Sequence, residues 1–413
     1  MAFVTMDGFD VEHASSLLIY ENLMGEIQHI NGKGVTDKYT TRKDVENVTY
    51  IDVMRVLPNP PRFRQLGALN NGKFHNAKND GYSNAPQSTH YTINVDLIYD
   101  EGVPITLNQI MSNRADFKSV VLAQIVKTAG MTINIVTYAK QIAGFFRNGD
   151  NFDKALTHDT ANLVAADVTA GEIANAVFAY DPAVTGLSAG SPTLAVQKAN
   201  AKLDNGIPEL GAFVVPREGR QGFISSDLNV LIKGQYAQNA SEAAAKILYT
   251  GFINPFNNNP EQRINENTGL LGGYDGVDLF LFNDVTRKFV YVALGLLGTA
   301  DDTTVATERA LLDKMQGMIV YGAGTCRGIV GPSVEANPNP YYGGIYILPK
   351  LKVGVDVLHG ASIKMIIDAG TSLSNTWTAA NIVALMKAIK FTPIDGSVVT
   401  GSVVGGFNDG TTS

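Results

Sequence analysis

Residues 112–150 read SNRADFKSVVLAQIVKTAGMTINIVTYAKQIAGFFRNGD and contain a long helical pattern. The apolar residues that fall near one stripe at helical spacing are Phe117, Val121, Ile125, Ala129, Val136, Ala143 and Phe146. Asn113 and Asp116 have the spacing of an N-cap and its N3 partner, and Gly149 is a C-terminal signal. Such a helix would be about 50 Å long. Gly130 and the β-branched run after it predict a kink near its middle.

A long polar excursion precedes this helix. Residues 46–66 are rich in β-branched side chains, and residues 91–98 alternate well enough for a second strand. Between these two strands, residues 67–88 contain two strong turn signals. A loop of more than about 15 residues in a compact domain is unusual and is often functional or ordered by a partner. The charged residues predicted to make inter-subunit contacts here are Arg62, Arg64, Lys73, Lys78 and Asp80.

The second half of the chain contains helices and strands without an internal repeat or a regular βαβ order. Ser191 and Pro192 open a helix as N-cap and N1 residue. Strands are predicted at 211–216, 276–284, 287–295 and 318–322, with a long run of strand character over 343–368. Helices are predicted at 241–251, 307–317 and 377–390. The separation of sheet and helices favours an α+β fold.

Composition narrows the class of protein. The chain has 413 residues, of which 45% are hydrophobic, so a disordered chain is excluded. Only 17% are charged, which suggests that much of the surface meets other protein. The net charge of −7 is the wrong sign for a dedicated nucleic-acid binder, and it favours protein contacts for the basic residues of the excursion. The acidic N-terminus lacks the basic region of a signal peptide, and no apolar stretch predicts a membrane span.

Two glycine-rich motifs resemble chemical sites without the context that those sites need. Ser188 lies in a G-x-S-x-G motif, but no core strand feeds directly into it, so a linker is favoured over a nucleophile. Residues 322–328 read GAGTCRG, one residue longer than a dinucleotide fingerprint. The following residues, 329–340, contain Pro and Asn and are predicted to form a loop, so no helix would receive a pyrophosphate.

The histidines, the single cysteine and the small acidic clusters do not form a recognisable metal-binding or catalytic pattern. The six histidines have no metal-binding spacing. Cys326, the one cysteine, is predicted to be a buried structural thiol. The small acidic cluster Asp7, Asp10 and Glu12 is interpreted as solvated. No catalytic, cofactor-binding or metal-binding residue is therefore predicted, and the chain is not expected to be an enzyme.

Three stretches in this order resemble the major capsid proteins of tailed bacteriophages, which have the HK97-like capsid fold. Residues 95–117 resemble the run from an extended loop into a spine helix, and residues 199–224 resemble the entry into the axial domain. Residues 268–284 resemble the turn and strand that follow. Residues 150–190 depart from the family pattern as an insertion. No residue-by-residue match supports an inter-subunit Lys–Asn cross-link, so none is predicted.

The resemblance implies an organisation and a function. The implied segments are an N-terminal arm (1–45), an extended β-hairpin loop region (46–110), a spine helix and first part of the peripheral domain (111–190), an axial domain (191–335), a peripheral return (336–371) and a C-terminal helix and tail (372–413). The chain would self-assemble as pentamers and hexamers into an icosahedral virion shell. That shell would form in the host cytoplasm and enclose double-stranded DNA without reading its sequence.

The implied partners are further copies of the chain, a portal, scaffolding proteins and decoration proteins, with no cofactor and no membrane. Three alternatives stay open at this point. The chain could be another virion component of the tail or surface, an encapsulin-like nanocompartment shell, or an unrecognised enzyme.

Overall fold

The structure is a computed structural model of the chain. It describes residues 41–44, 50–56, 88–95, 97–99, 103–105, 116–154, 162–184, 188–204, 219–239, 270–274, 276–297, 305–339, 344–371, 373 and 376–389. The described elements combine long helices with mixed sheets, so the prediction of an α+β fold is confirmed. The predicted arm lies outside the described residues up to residue 40. The strands predicted at 211–216 and the helix at 241–251 lie outside them as well.

A long hairpin organises the first sheet. Strands β11 (Thr325–Asn339) and β12 (Gly344–Val357) pair antiparallel. Strand β1 (Thr41–Asp44) runs parallel to β11, while β4 (Leu97–Tyr99) and β5 (Val103–Ile105) pair antiparallel with β12. At about 3.3 Å per residue, β12 is about 46 Å long. The predicted run of strand character over 343–368 is thus largely this strand.

The loop predicted at 329–340 is wrong, because β11 continues through most of it. The register shifts between Val330 and Ser333, which brackets Pro332 in an irregular stretch of the ladder. The pairing of β1 with β11 ends at Ile329, so beyond it the described residues give β11 a neighbouring strand on one side only. Proline lacks a backbone N–H and is tolerated at bulges and edge positions. Proline and asparagine therefore punctuate this strand without ending it.

Two strands flank the polar excursion, as predicted. Strand β2 (Tyr50–Val56) pairs antiparallel with β3 (Ser88–Asn94) over seven residue pairs, from Tyr50 opposite Asn94 to Val56 opposite Ser88. In the described part of the chain, these two strands form a sheet by themselves. Residues 57–87, which this pairing encloses, lie outside the described residues.

The long helix predicted within residues 112–150 is confirmed. Helix α1 (Asp116–Arg147) has 32 residues and continues through Gly130 without a break. At 1.5 Å per residue it is about 48 Å long, close to the length of β12, against which it packs. The buried apolar residues of its second half include Ile135, Tyr138, Ala139, Ile142, Phe145 and Phe146.

A six-stranded mixed sheet forms the second part of the fold. Its strands are β6 (Val177–Tyr180), β7 (Arg220–Ile224), β8 (Leu270–Tyr274), β9 (Val277–Leu281), β10 (Met315–Tyr321) and β13 (Ile363–Asp368), in the order β6-β13-β10-β7-β9-β8. Alternate residues of β13 enter different cores: Met365 joins the cluster that contains the α1 residues, and Ile366 joins the cluster on the opposite face. Both faces of the sheet are thus covered, as expected for strands so rich in apolar residues.

Six shorter helices complete the described fold. They are α2 (Ala170–Ala176), α3 (Pro192–Asp204), α4 (Ser226–Asn239), α5 (Asp284–Ala293), α6 (Ala306–Asp313) and α7 (Ala379–Ala388). The predicted start of α3 is confirmed, because Ser191 Oγ accepts a hydrogen bond from Leu194 N at 3.2 Å directly before Pro192. The helix predicted at 377–390 is present as α7. The helix predicted at 307–317 is present as α6, but its last three residues, Met315 to Gly317, belong to strand β10 instead.

The strand predicted at 287–295 is wrong, because most of these residues belong to helix α5. Asn283 caps the helix by accepting a hydrogen bond from Thr286 N at 2.7 Å. Phe289, Val290 and Tyr291 are buried in the cluster that contains the α1 residues. These aromatic and β-branched residues have high strand propensity, but their tertiary packing outweighs it.

Candidate assembly surfaces

The long helix and the long hairpin are joined by close backbone approach and by hydrogen bonds. A Cβ at Gly144 would lie 2.6 Å from Val357 Cβ, so only glycine allows α1 to approach β12 this closely. One turn later, Asn148 Nδ2 donates to Val357 O at 2.6 Å. Gln141 Nε2 donates to Thr325 Oγ1 at 3.3 Å on the other strand of the hairpin. These contacts make the helix and the base of the hairpin one stiff unit.

A buried polar cluster lies where α1 ends and β13 begins. Asp150 Oδ2 accepts a hydrogen bond from Gly360 N at 2.8 Å. Asn151 Nδ2 donates to Gly360 O at 2.7 Å, and Asn151 Oδ1 accepts from Lys364 Nζ at 3.3 Å. Burial and, to a smaller extent, the nearby charge of Lys202 lower the pKa of Lys364 to about 8, although the charge of Asp150 acts to raise it. The cluster ties the turn between the two sheets to the end of α1.

The C-terminal helix is fixed to the same unit from the opposite side. Arg147 Nη2 donates to Met386 O at 3.0 Å, which links the last residue of α1 to α7. Trp377 is fully buried, and its Nε1 donates to Leu311 O of α6 at 3.2 Å. Its ring also packs on Phe146, with the ring centroids 5.8 Å apart.

Several strand edges in the described part of the chain have no neighbouring strand. They include β11 beyond Ile329, the outer edges of the β2–β3 pair, the end strands β1, β4 and β5 of the first sheet, and the end strands β6 and β8 of the six-stranded sheet. An edge strand offers a row of backbone N–H and C=O groups to another chain. These edges are therefore the places where the described fold can add strands from a partner.

Two surface cavities lie outside the two cores. The first, of about 680 Å³, lies between β6 and α3 and is lined by residues that include Phe178, Leu194 and Leu373. The second, of about 660 Å³, is bounded by Leu163, Val164 and the face of α7 that carries Val383. Both are lined mainly by apolar side chains. Leu373 and Val164 are among the few large hydrophobic residues that the described surface exposes, at 43% and 56%.

The five residues predicted to make inter-subunit contacts lie outside the described residues, so their role stays a prediction: Arg62, Arg64, Lys73, Lys78 and Asp80. The structure places the other sequence candidates. Ser188 is exposed in a bend eight residues beyond the end of β6, in keeping with the linker interpretation. Cys326 is fully buried in β11, as predicted for a structural thiol.

The glycine-rich segment after β10 is a short 3-10 turn, Gly322–Gly324, that leads into strand β11. A strand in this place offers no helix N-terminus to a phosphate group. Within the described residues, no group of three or more His, Cys, Asp or Glu side chains is placed to hold a metal ion. In the same residues, no helix is long and apolar enough to cross a membrane.

Sequence reasoning missed the buried polar groups. Arg220 Nη1 donates to Asn200 Oδ1 at 2.6 Å, and both side chains are almost fully buried between β7 and α3. Lys364 is only 7% exposed. A lysine inside the otherwise apolar run IKMII was the signal for the second group, because a charged residue in a two-sided buried strand needs polar partners.

Comparisons with known proteins gave matches among solved structures. No family model and no curated protein matches the chain. Among solved structures, the chain is similar to the mature capsid of bacteriophage PhiM1, with 11% identity and a TM-score of 0.45 over 80% of this chain and 85% of that one. It is similar to the capsid of cyanophage P-SCSP1u, with 13% identity and a TM-score of 0.41 over 82% and 89%. It is also similar to a structure from Mycobacterium phage Che8, with 10% identity and a TM-score of 0.40 over 78% and 85%.

Proposed function

We propose that the chain is a major capsid protein that assembles into an icosahedral shell around double-stranded DNA. Pentamers and hexamers of one chain would tile the shell by using near-equivalent versions of one surface. The proposal gives the chain a structural role and no catalytic step. The chain would be located in the virion after assembly in the host cytoplasm. Portal, scaffolding and decoration proteins would be its further partners.

The observation that carries the proposal is the isolated β2–β3 pair. It is a regular ladder of seven residue pairs, yet in the described part of the chain it belongs to neither larger sheet. A single two-stranded hairpin is marginally stable in water and needs a surface to pack on. Within the chain, β3 contacts β12 and Ile93 is buried, and in a shell a neighbouring subunit would supply a further surface for the pair.

The rest of the geometry supports a shell subunit. Close packing and hydrogen bonds join α1 to the base of the hairpin and make a unit about 48 Å long. A closed shell needs such a unit, because its rigidity fixes the angles between subunits. The open edges of β6, β8 and β11 offer additional places for contact. The low charged fraction, 17%, fits a subunit that buries much of its surface between copies.

The proposed domains follow the order of the elements. Residues 1–45 would be an arm that lies over a neighbour, and residues 46–110 would form the extended loop region. Residues 111–190 and 336–371 would form the peripheral domain, with α1 and the hairpin as its frame. Residues 191–335 would form the axial domain near the ring centres, and residues 372–413 the C-terminal helix and tail.

Electron microscopy of the purified protein tests the proposal directly. We expect the images to contain uniform closed shells, or rings of five and six copies, and few separate monomers. A monodisperse monomer that stays unassembled across salt and concentration, with or without co-expressed scaffold, would contradict the proposal.

Deletion of residues 67–87 tests the role of the extended loop. The residues that remain before β3 still allow the β2–β3 pair to close, so we expect native circular dichroism together with loss of shells. A second variant replaces the same residues by a Gly-Ser linker of equal length, which separates loss of contacts from loss of chain length. Normal shells from both variants would overturn the role of this loop.

A further inference from the structure

The groove between β6 and α3 has the features of a site that binds an extended peptide. Strand β6 pairs with β13 on one side, and on its other side the described fold has no strand. The groove runs along this free edge and is walled by Leu194, Ala195 and Ala201 of α3. A peptide that adds a strand to an edge gains main-chain hydrogen bonds, and apolar walls then select its side chains.

The charge of the groove restricts what can occupy it. Of the described residues that line it, the only charged ones are Lys198 and Lys202. They are four residues apart on α3 and therefore lie on one face of the helix. Lys198 is exposed, and Lys202 Nζ donates to Asn175 Oδ1 at 2.7 Å, which holds its charge at the rim. The occupant should therefore carry acidic side chains next to apolar ones.

We propose that the N-terminal segment of this chain, residues 3–12, binds in this groove as an added strand beside β6. Its sequence FVTMDGFDVE has three acidic residues and no lysine or arginine. Phe9 and Val11 alternate with Asp10 and Glu12, so one side of a four-residue strand is apolar and the other acidic. That length matches the four residues of β6.

Residues 13–40 link the segment to β1, and an extended chain of that length spans at most about 95 Å. The proposal therefore allows the segment to lie up to about 95 Å from β1, in the groove of its own subunit or in that of a copy beside it. In either case the acidic pair would face Lys198 and Lys202 on α3, and the apolar pair would lie on the opposite face of the added strand.

Photo-crosslinking of the full chain identifies the occupant. Benzoylphenylalanine replaces Ala201, which is an exposed wall of the groove, and irradiated protein is digested and analysed by mass spectrometry. We expect the captured peptide to contain residues 3–12. The control places the same probe at Lys288, which is exposed on α5 and does not line the groove, and it should not capture the segment. Capture of the C-terminal residues, of another protein, or of nothing at position 201 overturns the proposal.

Hydrogen exchange measures the same contact without a probe. Phe9→Ser with Val11→Ser should increase the exchange of the β6 amides at least about tenfold, because an uncovered edge opens locally. Lys198→Glu should do the same, and the control Lys288→Glu should not. The proposal is overturned if the amides of residues 177–180 exchange at the wild-type rate in both the Phe9→Ser/Val11→Ser variant and the Lys198→Glu variant. Neither readout depends on shell formation, so failure here leaves the capsid proposal intact.

Discussion

Lys364 shows how one buried charge couples the stability of this fold to pH. The pKa of its ammonium group is lowered from 10.5 to about 8 in the folded chain, mainly by burial. The groups that face it are Lys202, Asp150 and Asn151. Between pH 8 and 10.5 the unfolded chain binds more protons than the folded chain at this site. The folding free energy that Lys364 costs at neutral pH is therefore recovered as the pH rises through this window.

Replacing Lys364 by Met should remove that pH dependence. In the wild-type chain we expect this site to add about 2 kcal/mol to the free energy of unfolding between pH 7.5 and 9.5. The Lys364→Met variant should lack this rise, while the exposed control Lys288→Met should keep it. Urea unfolding followed by circular dichroism at the two pH values measures the difference. A variant with the wild-type rise would show that other groups cause it.

Two helical glycines allow a matched test of close packing. Ala at Gly144 would bring a Cβ within 2.6 Å of Val357 Cβ, so Gly144→Ala should destabilise the protein by about 1–3 kcal/mol. At Gly234 in α4 no atom lies within 4 Å of the added Cβ, so Gly234→Ala should stabilise by about 0.5–1 kcal/mol through helix propensity. Urea midpoints of the two variants should move in opposite directions. Equal shifts would mean that the approach of α1 to β12 is not tight.

At the scale of elements, α5 depends on its cap because its interior residues favour a strand. Asn283→Ala removes the acceptor for Thr286 N and should cost about 1 kcal/mol. Asn283→Asp keeps an acceptor and adds a negative charge at the helix N-terminus, so it should be neutral or slightly stabilising. Thermal unfolding of the two variants measures both effects. If alanine and aspartate behave alike, the cap does not define the start of α5.

Sequence patterns correctly predicted the helices and strands whose local sequence preference matches their packing in the folded chain. The apolar stripe of α1, the Ser191–Pro192 start of α3 and the alternation in β3 all gave the observed element. The failures are α5, where packing against α1 converts strand-forming residues into helix, and β11, where prolines fall at a bulge and along an open edge. Such outcomes depend on neighbours that are distant in sequence, so a local pattern cannot contain them.

At the scale of the whole molecule, sequence patterns predicted one candidate surface and missed another. The excursion was predicted to be a contact surface because its polar length makes little sense in a compact domain, and its residues 57–87 lie outside the described part of the chain. The groove between β6 and α3 was not found, since it exists only where a strand edge, a helix and Leu373 meet. The buried group of Asn151 and Lys364 joins residues more than 200 positions apart, which no spacing rule connects.

In the proposed shell, the net charge of −7 makes assembly a balance between general repulsion and local contacts. Like-charged subunits repel, and salt screens this repulsion over about 8 Å at 0.15 M. The basic residues of the excursion are predicted to offset it by pairing with acidic groups on a neighbour. Neutralising four of them, Arg62, Arg64, Lys73 and Lys78, to glutamine takes the net charge from −7 to −11.

This quadruple variant should raise the critical concentration for assembly at least about tenfold, since four surface pairs at a few tenths of a kcal/mol each amount to about 1.4 kcal/mol. A control with glutamine at Lys154, Lys233, Lys288 and Lys314 has the same net charge of −11 but alters described sites elsewhere. Sedimentation at several protein concentrations measures both thresholds. Because added salt weakens general repulsion, it should rescue the control and leave most of the defect in the loop variant. Equal thresholds for the two variants would show that net charge alone controls assembly and that the excursion makes no specific contact.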